Sequence, residues 1–68
     1  MGSQEQIGKN LRKVRKNLGL KQSEVAKKAG ITSNYYAMVE RGEVNVSANV
    51  LEDIFKALKV KSSDILPF

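Results

Sequence analysis

One short stretch of the sequence carries side chains suited to recognising another molecule. Small polar and apolar residues recur along one side of residues 33–41: Ser33, Asn34, Ala37, Met38 and Arg41. Hydroxyl, amide and guanidinium groups can exchange hydrogen bonds with a partner. The other side of the stretch carries Tyr36 and Val39, which favour burial. We therefore expect a short helix with one face packed inward and one face free to bind.

The chain lacks the side chains on which most enzyme sites depend. It contains no histidine and no cysteine, which removes the commonest general base, the commonest metal ligand and any disulfide. It has no glycine-rich phosphate loop and no carboxylate pair with a pocket around it. The sequence therefore predicts neither an enzyme nor a metal or cofactor site.

The basic residues are concentrated in one part of the chain. Twelve Lys and Arg against seven Asp and Glu give a formal net charge of +5. Residues 9–28 contain a single acidic residue, Glu24, among these basic ones: Lys9, Arg12, Lys13, Arg15, Lys16, Lys21, Lys27 and Lys28. Such asymmetry favours a polyanionic partner, although a merely solvated surface has the same composition.

The length and hydropathy bound the architecture. At 68 residues, the chain fits a single domain spanning residues 1–68, near the lower size limit for folding on an apolar core alone. No apolar run is long enough for a signal peptide or a membrane span. We therefore expect a cytoplasmic protein with no membrane contact. Because no effector segment follows the last expected helix, we expect no small-molecule site either.

The spacing of apolar residues is helical along nearly the whole chain. A first helix, with a capping box of Ser3 and Gln6, should end at Gly19 and bury one stripe: Ile7, Leu11, Val14 and Leu18. A second should cover about residues 22–29. Thr32 is a good N-cap for a third helix, a fourth should begin at Ser47, and a final short turn should start at Ser62. No segment alternates with the period of a strand, so the predicted fold class is all-α.

The link between the second and third helices is short. It consists of Gly30, Ile31 and Thr32. A three-residue connection that contains glycine makes two short helices cross steeply, which is the geometry of a helix-turn-helix. Ala26 permits the two helices to approach closely. We therefore predict a helix-turn-helix motif at residues 22–41.

The stretch QSEVAKKAGITSNYYAMVERG, residues 22–42, resembles the helix-turn-helix of phage repressor and Cro proteins, the xenobiotic-response-element-type (XRE) regulators. The matching residues are Gln22, Val25, Ala26, Ala29, Gly30, Ile31, Tyr36, Val39, Glu40 and Gly42. The likeness extends over LRKVRKNLGL before this stretch and NVSANVLEDIFKALKVKSSDIL after it. Two positions depart from the family: Lys21 replaces a better N-cap, and Val46 replaces a frequent proline. The resemblance implies a five-helix, lambda-repressor-like DNA-binding domain.

The resemblance also implies which residues touch double-stranded DNA. The third helix would lie in the major groove, with four outward residues at the base edges: Ser33, Asn34, Ala37 and Met38. Asparagine can bind adenine through two hydrogen bonds, and alanine or methionine can contact a thymine methyl group. Flanking residues would contact the sugar-phosphate backbone: Lys21, Gln22, Thr32, Tyr35 and Arg41. Simpler roles stay open for Ser33 as a first-turn residue, Tyr35 as packing and Met38 as plain surface.

The family also implies a structural role for Arg15 and Glu40. The matching positions in the resembled proteins form a partly buried ion pair between the first and third helices. Such a pair would fix the orientation of the third helix. The alternative is two independent surface charges.

A palindromic operator and a symmetric dimer are further expectations. One helix contacts too few base pairs for high specificity, and helix-turn-helix dimers contact two half-sites. We predict an apolar interface in the C-terminal region, formed by Phe55, Leu58, Val60, Ile65, Leu66 and Phe68. The alternative is that Ile65 and Leu66 only complete the core of one chain.

The leading hypothesis is a sequence-specific DNA-binding transcriptional regulator. The sequence does not separate a phage-type repressor, a restriction–modification controller, an antitoxin and a chromosomal regulator. One competing hypothesis is a protein-interaction module, such as an antitoxin that holds a toxin. Another is a nonspecific nucleic-acid binder. The expected partners are double-stranded DNA and a second copy of the chain. A further protein partner would be a toxin or the transcription machinery.

Overall fold

A computed structural model describes residues 2–66, and all regular structure in that range is helical. The helices are α1 (Ser3–Asn17), α2 (Gln22–Ala29), α3 (Ser33–Glu40), α4 (Ala48–Leu58) and α5 (Ser62–Ile65). The prediction of an all-α fold of five helices is confirmed. Within the same range, no helix combines the length and apolar character needed to cross a membrane.

The helices share one apolar core. α2 packs against α3 and α4, and α1 packs against α3 and α5. The largest fully buried side chains come from all five helices: Leu11, Val25, Tyr36, Ile54, Leu58 and Ile65. Burial of each large apolar side chain contributes roughly 1.5–3 kcal/mol. The inward face of α3 is thereby fixed to the rest of the domain, and its outward face is left free.

The turn between α2 and α3 has the geometry that the sequence predicts. Gly30 has a φ of +75°, a left-handed conformation that side chains with a Cβ rarely adopt. The amide of Ile31 donates to the carbonyl of Ala26 at 3.0 Å, which closes the end of α2. The Oγ1 atom of Thr32 accepts a hydrogen bond from the amide of Tyr35 at 3.0 Å and caps α3.

The backbone of α1 at Gly8 lies directly against the backbone at the end of α3. Gly8 in α1 is buried against this end of α3. A Cβ atom at that position would collide with the carbonyl oxygens of Val39 and Glu40. The small residue therefore allows α1 to brace α3 directly.

The start of α1 differs from the expectation. Ser3 is already the first helical residue, and Gly2 is the N-cap. The Gly2 amide donates to Oε1 of Glu5 at 3.3 Å, whereas Gln6 donates to Oδ1 of Asn10 at 3.1 Å. The predicted capping box of Ser3 and Gln6 is therefore wrong by one residue, because the helix begins one position earlier.

The predicted dimer interface also needs correction. Phe55, Leu58 and Ile65 are 7%, 2% and 0% exposed, because they fill the core of their own chain. Asn10 holds α5 in place by donating to the carbonyl of Ile65 at 2.6 Å. These three side chains cannot form a surface for a second copy. Val60 and Leu66 remain half-buried at the surface, and Phe68 lies outside the described residues.

Candidate nucleic-acid interface

The outward side of α3 presents the four residues expected at base edges. Ser33 and Asn34 are exposed, and Ala37 and Met38 are half-buried. Residues three and four positions apart, such as Asn34 with Ala37 and Met38, lie on one side of a helix. Nδ2 of Asn34 lies 3.9 Å from Sδ of Met38, a weak contact to a sulfur acceptor. We call these four residues the binding face; its polar groups have only weak internal partners to exchange for an external one.

Two residues at the start of α3 lie beside the binding face. Thr32 is exposed, and its oxygen accepts the capping hydrogen bond while its hydroxyl proton stays free to donate. Tyr35 is half-buried and packs against the core. Packing and external contact are therefore compatible for Tyr35, since part of the ring stays accessible.

The start of α2 lies near the end of α3. Lys21 is the exposed N-cap of α2, and its amide donates to Oε1 of Glu24 at 2.7 Å. This hydrogen bond compensates for the weak capping ability of lysine. Nε2 of Gln22 donates to Oε1 of Glu40 at 3.0 Å. Because an amide nitrogen carries two hydrogens, Gln22 keeps one donor for an external oxygen.

Arg15 and Glu40 form an ion pair with two hydrogen bonds. Nε of Arg15 lies 2.6 Å from Oε2 of Glu40, and Nη2 lies 3.1 Å from Oε1. Nη1 of Arg15 donates to the carbonyl of Leu20 at 2.9 Å. The two side chains are 11% and 3% exposed. One guanidinium thus connects α1, the α1–α2 link and the last residue of α3.

The environment keeps this carboxylate charged. Burial alone would raise the pKa of Glu40, but hydrogen bonds from Arg15 and Gln22 outweigh it and lower that pKa below its ordinary value. The buried Tyr36 hydroxyl lies close to the pair without a well-formed hydrogen bond to any described residue. Burial and the Glu40 carboxylate raise the pKa of Tyr36, so its hydroxyl stays neutral.

A cleft of about 720 Å³ opens between α1 and the end of α3. We call it the charged cleft, and its lining residues are Glu5, Lys9, Arg12, Arg15, Gln22, Glu40, Arg41 and Glu43. From the sequence, Lys9 and Arg12 were expected only as members of a basic stretch that favours a polyanionic partner, without a place in the DNA-binding site. Their place beside Gln22 and Arg41 adds them to the candidate phosphate-contacting groups. Their position on α1, opposite its apolar stripe, was the sequence signal that could have predicted this contact.

Arg41 is the C-cap of α3 and is exposed. Its Nε and Nη2 atoms each donate to an oxygen of Glu43 at 3.0 Å. This pairing lowers the pKa of Glu43 and raises that of Arg41, so both groups are ionised. The sequence predicted a backbone contact for Arg41 and no role for Glu43.

Residues 11–65 match the model of a helix-turn-helix family. The chain belongs to this helix-turn-helix family. The predicted family is therefore confirmed. Its members and the relatives below are DNA-binding transcription regulators, which also confirms the prediction of a regulator rather than an enzyme.

Three similar proteins illustrate the range of this helix-turn-helix family. The immunity repressor protein of Bacillus phage phi105 is 33% identical over 60 residues, which cover 88% of this chain and 42% of the repressor. The chain thus spans less than half of that relative's length. The restriction-modification controller protein C.AhdI from Aeromonas hydrophila superposes with a TM-score of 0.88 and 31% identity, covering 91% of this chain and 94% of the controller.

The third is known as an assembly on DNA. The controller protein C.Esp1396I, crystallised as a tetramer with its natural 35 base-pair operator, superposes with a TM-score of 0.85 and 25% identity. The match covers 93% of this chain and 83% of that one. The helix-turn-helix fold described above therefore occurs in a protein seen bound to operator DNA.

Proposed function

We propose that this chain is a sequence-specific transcriptional regulator that recognises a palindromic operator through the binding face of α3. The observation that carries the proposal is the division of α3 into two sides. Tyr36 and Val39 are 0% and 2% exposed and fix the helix, whereas Asn34 and its neighbours on the binding face are accessible and weakly partnered. A rigid helix with a free polar face matches the width of the major groove.

The charges around α3 support the same function. Donors lie around the end of α3: Gln22 at the start of α2 contacts Glu40, Lys21 precedes it, and Lys9, Arg12 and Arg41 line the charged cleft. Phosphate contacts of this kind set the register of a protein on DNA but carry little sequence information. In this proposal the binding face provides sequence specificity, and the flanking groups provide most of the affinity.

Replacing Asn34 with alanine tests this division. We expect Asn34→Ala to weaken binding by roughly 1–3 kcal/mol at one base pair of each half-site and to relax the preference there. The measurement is a scan of every base pair of a selected site against both proteins. Asn49→Ala, an equal truncation at an exposed position of α4, is the control. Uniform weakening across all base pairs would show that Asn34 does not recognise a particular base.

We also propose that the chain acts as a symmetric dimer. A single recognition helix contacts few base pairs, so two copies related by a two-fold axis would double the readout. After the correction above, an accessible apolar surface that includes the C-terminal Leu66 is a groove of about 280 Å³. This apolar groove is lined mainly by half-buried aliphatic residues: Ile7, Val44, Val46, Leu51 and Leu66. The tetramer that C.Esp1396I forms with its operator supports self-association of this chain.

A charge in the apolar groove should separate the two copies. We expect the wild-type protein to sediment as a dimer at micromolar concentration and Leu66→Glu to sediment as a monomer, because an unpaired carboxylate would be buried in the interface. Leu18→Glu is the control, since Leu18 is 52% exposed and lies outside the groove. A wild-type monomer, both free and on DNA, would end the dimer proposal. A dimer that Leu66→Glu leaves intact would place the interface elsewhere.

A further inference from the structure

The guanidinium at the end of the recognition helix is held by a carboxylate of its own chain. Arg41 donates two parallel hydrogen bonds of 3.0 Å to the two oxygens of Glu43. A phosphate group presents the same pair of oxygens to an arginine, at similar spacing. One edge of Arg41 therefore has two competing anions: Glu43 within the chain, and a backbone phosphate of DNA.

The backbone holds the two side chains on the same side of the chain. Gly42, which separates them, has a φ of +74°. A Cβ atom at Gly42 would lie 2.8 Å from the Cα atom of Glu5, so α1 packs directly on this turn. The amide of Glu43 donates to the carbonyl of Met38 at 3.0 Å and fixes the start of the following segment. The pairing of Arg41 with Glu43 is thus built into the turn that ends α3.

The pair lies where DNA would approach. The side chains of Arg41 and Glu43 are 55% and 50% exposed and line the rim of the charged cleft with Lys9 and Arg12. A phosphate that reaches Arg41 must first displace the carboxylate. The displaced Glu43, tethered two residues away, then stays close to the phosphate and repels it.

We propose that Glu43 is an intramolecular competitor for the phosphate that Arg41 contacts, and that it lowers the affinity of the protein for DNA of any sequence. This inference rests on the proposed function, because Arg41 must approach the DNA backbone. Since phosphates are the same in every sequence, the competition limits binding to random DNA as much as binding to the operator.

The test compares two charge-removing substitutions on mixed-sequence duplex DNA. For each copy of the chain that binds, Glu43→Gln should raise affinity about two- to fivefold, the range that exposed ion pairs allow. It should also steepen the slope of log K against log salt by up to about 0.9 for each copy, because one more cation becomes available to a phosphate. Glu52→Gln, an identical change at an exposed position of α4, should give a smaller gain and no steeper slope.

The same substitution in an Arg41→Ala background decides the mechanism. We expect the advantage of Glu43→Gln over Glu52→Gln to shrink there, since no guanidinium remains to be released and only the repulsion between Glu43 and the phosphate is left. An equal gain with and without Arg41, or equal effects of the two glutamines in the wild-type background, would overturn the role of Glu43. If the wild-type protein binds no duplex DNA at low salt, the proposed function fails and this inference fails with it. Thermal unfolding of each variant checks that the fold is unchanged.

Discussion

Glu40→Gln is expected to destabilise the domain by about 3–5 kcal/mol, the cost of leaving one charge of a buried ion pair without its partner. The Arg15 guanidinium would keep its burial and its hydrogen bond to Leu20 but lose the countercharge 2.6 Å from Nε. A domain of this size has roughly 3–10 kcal/mol of net stability, at 0.05–0.15 kcal/mol per residue. Denaturant unfolding of the variant should therefore show a large loss. Glu52→Gln on α4 should stay within about 0.5 kcal/mol of wild type.

A double-mutant cycle separates the pair from its surroundings. Arg15→Met alone should also destabilise strongly, whereas the double variant should regain part of the loss, because neither charge is then left unpaired. We expect a coupling free energy above about 1 kcal/mol. Strictly additive single effects would show that Arg15 and Glu40 act independently.

The dependence of stability on pH offers a second readout of the same pair. The folded protein lowers the pKa of Glu40 below its ordinary value of 4.5. The stabilisation is therefore fully present above pH 4.5 and is lost as the pH falls through the lowered pKa. The difference in unfolding free energy between wild type and Glu40→Gln should shrink in acid. A difference that is constant from pH 7 to strong acid would show that ionisation of Glu40 does not contribute.

The local elements of the fold were predictable because their signals are local. The bounds of α2 and α3 follow from the apolar spacing, from Gly30 in the turn and from Thr32 as an N-cap. Each of these acts within a few residues along the chain. The four residues of the binding face followed from the same helical geometry, once the inward face was assigned to Tyr36 and Val39.

The features that depend on tertiary packing were harder to predict. Apolar spacing predicts that Phe55, Leu58 and Ile65 lie on a buried face. It does not tell whether the core of the same chain or a second copy buries that face. The contact of Gly8 with the end of α3 joins segments about thirty residues apart and leaves no periodic signal. The pairing of Arg15 with Glu40 was likewise expected from family resemblance and not from spacing.

The pairing of Glu43 with Arg41 was unpredictable for a different reason. It depends on the left-handed turn at Gly42, which places two residues at i and i+2 side by side. Helical periodicity does not predict such a contact, because i and i+2 lie on different sides of a helix and the pair lies beyond the end of α3. The consequence for DNA affinity therefore emerges only from the three-dimensional arrangement.

The central claim is that the binding face of α3 recognises base sequence, and the expected effect is large. Specific helix-turn-helix complexes typically bind their sites at least about 10³-fold more tightly than random DNA, a difference of about 4 kcal/mol. Several bidentate and apolar base contacts in each half-site, at about 1–3 kcal/mol apiece, suffice to produce it. Phosphate contacts alone cannot, because they are the same for every sequence.

The most direct test is the ratio of two affinities at one fixed salt concentration. A site is selected from a random duplex library, and its dissociation constant is compared with that of a mixed-sequence duplex of equal length. We predict a selected site with two inverted half-sites about one turn of DNA apart, bound at least about 10³-fold more tightly than the mixed sequence. A ratio near one, with no sequence enriched by selection, would contradict the claim and identify the chain as a nonspecific nucleic-acid binder.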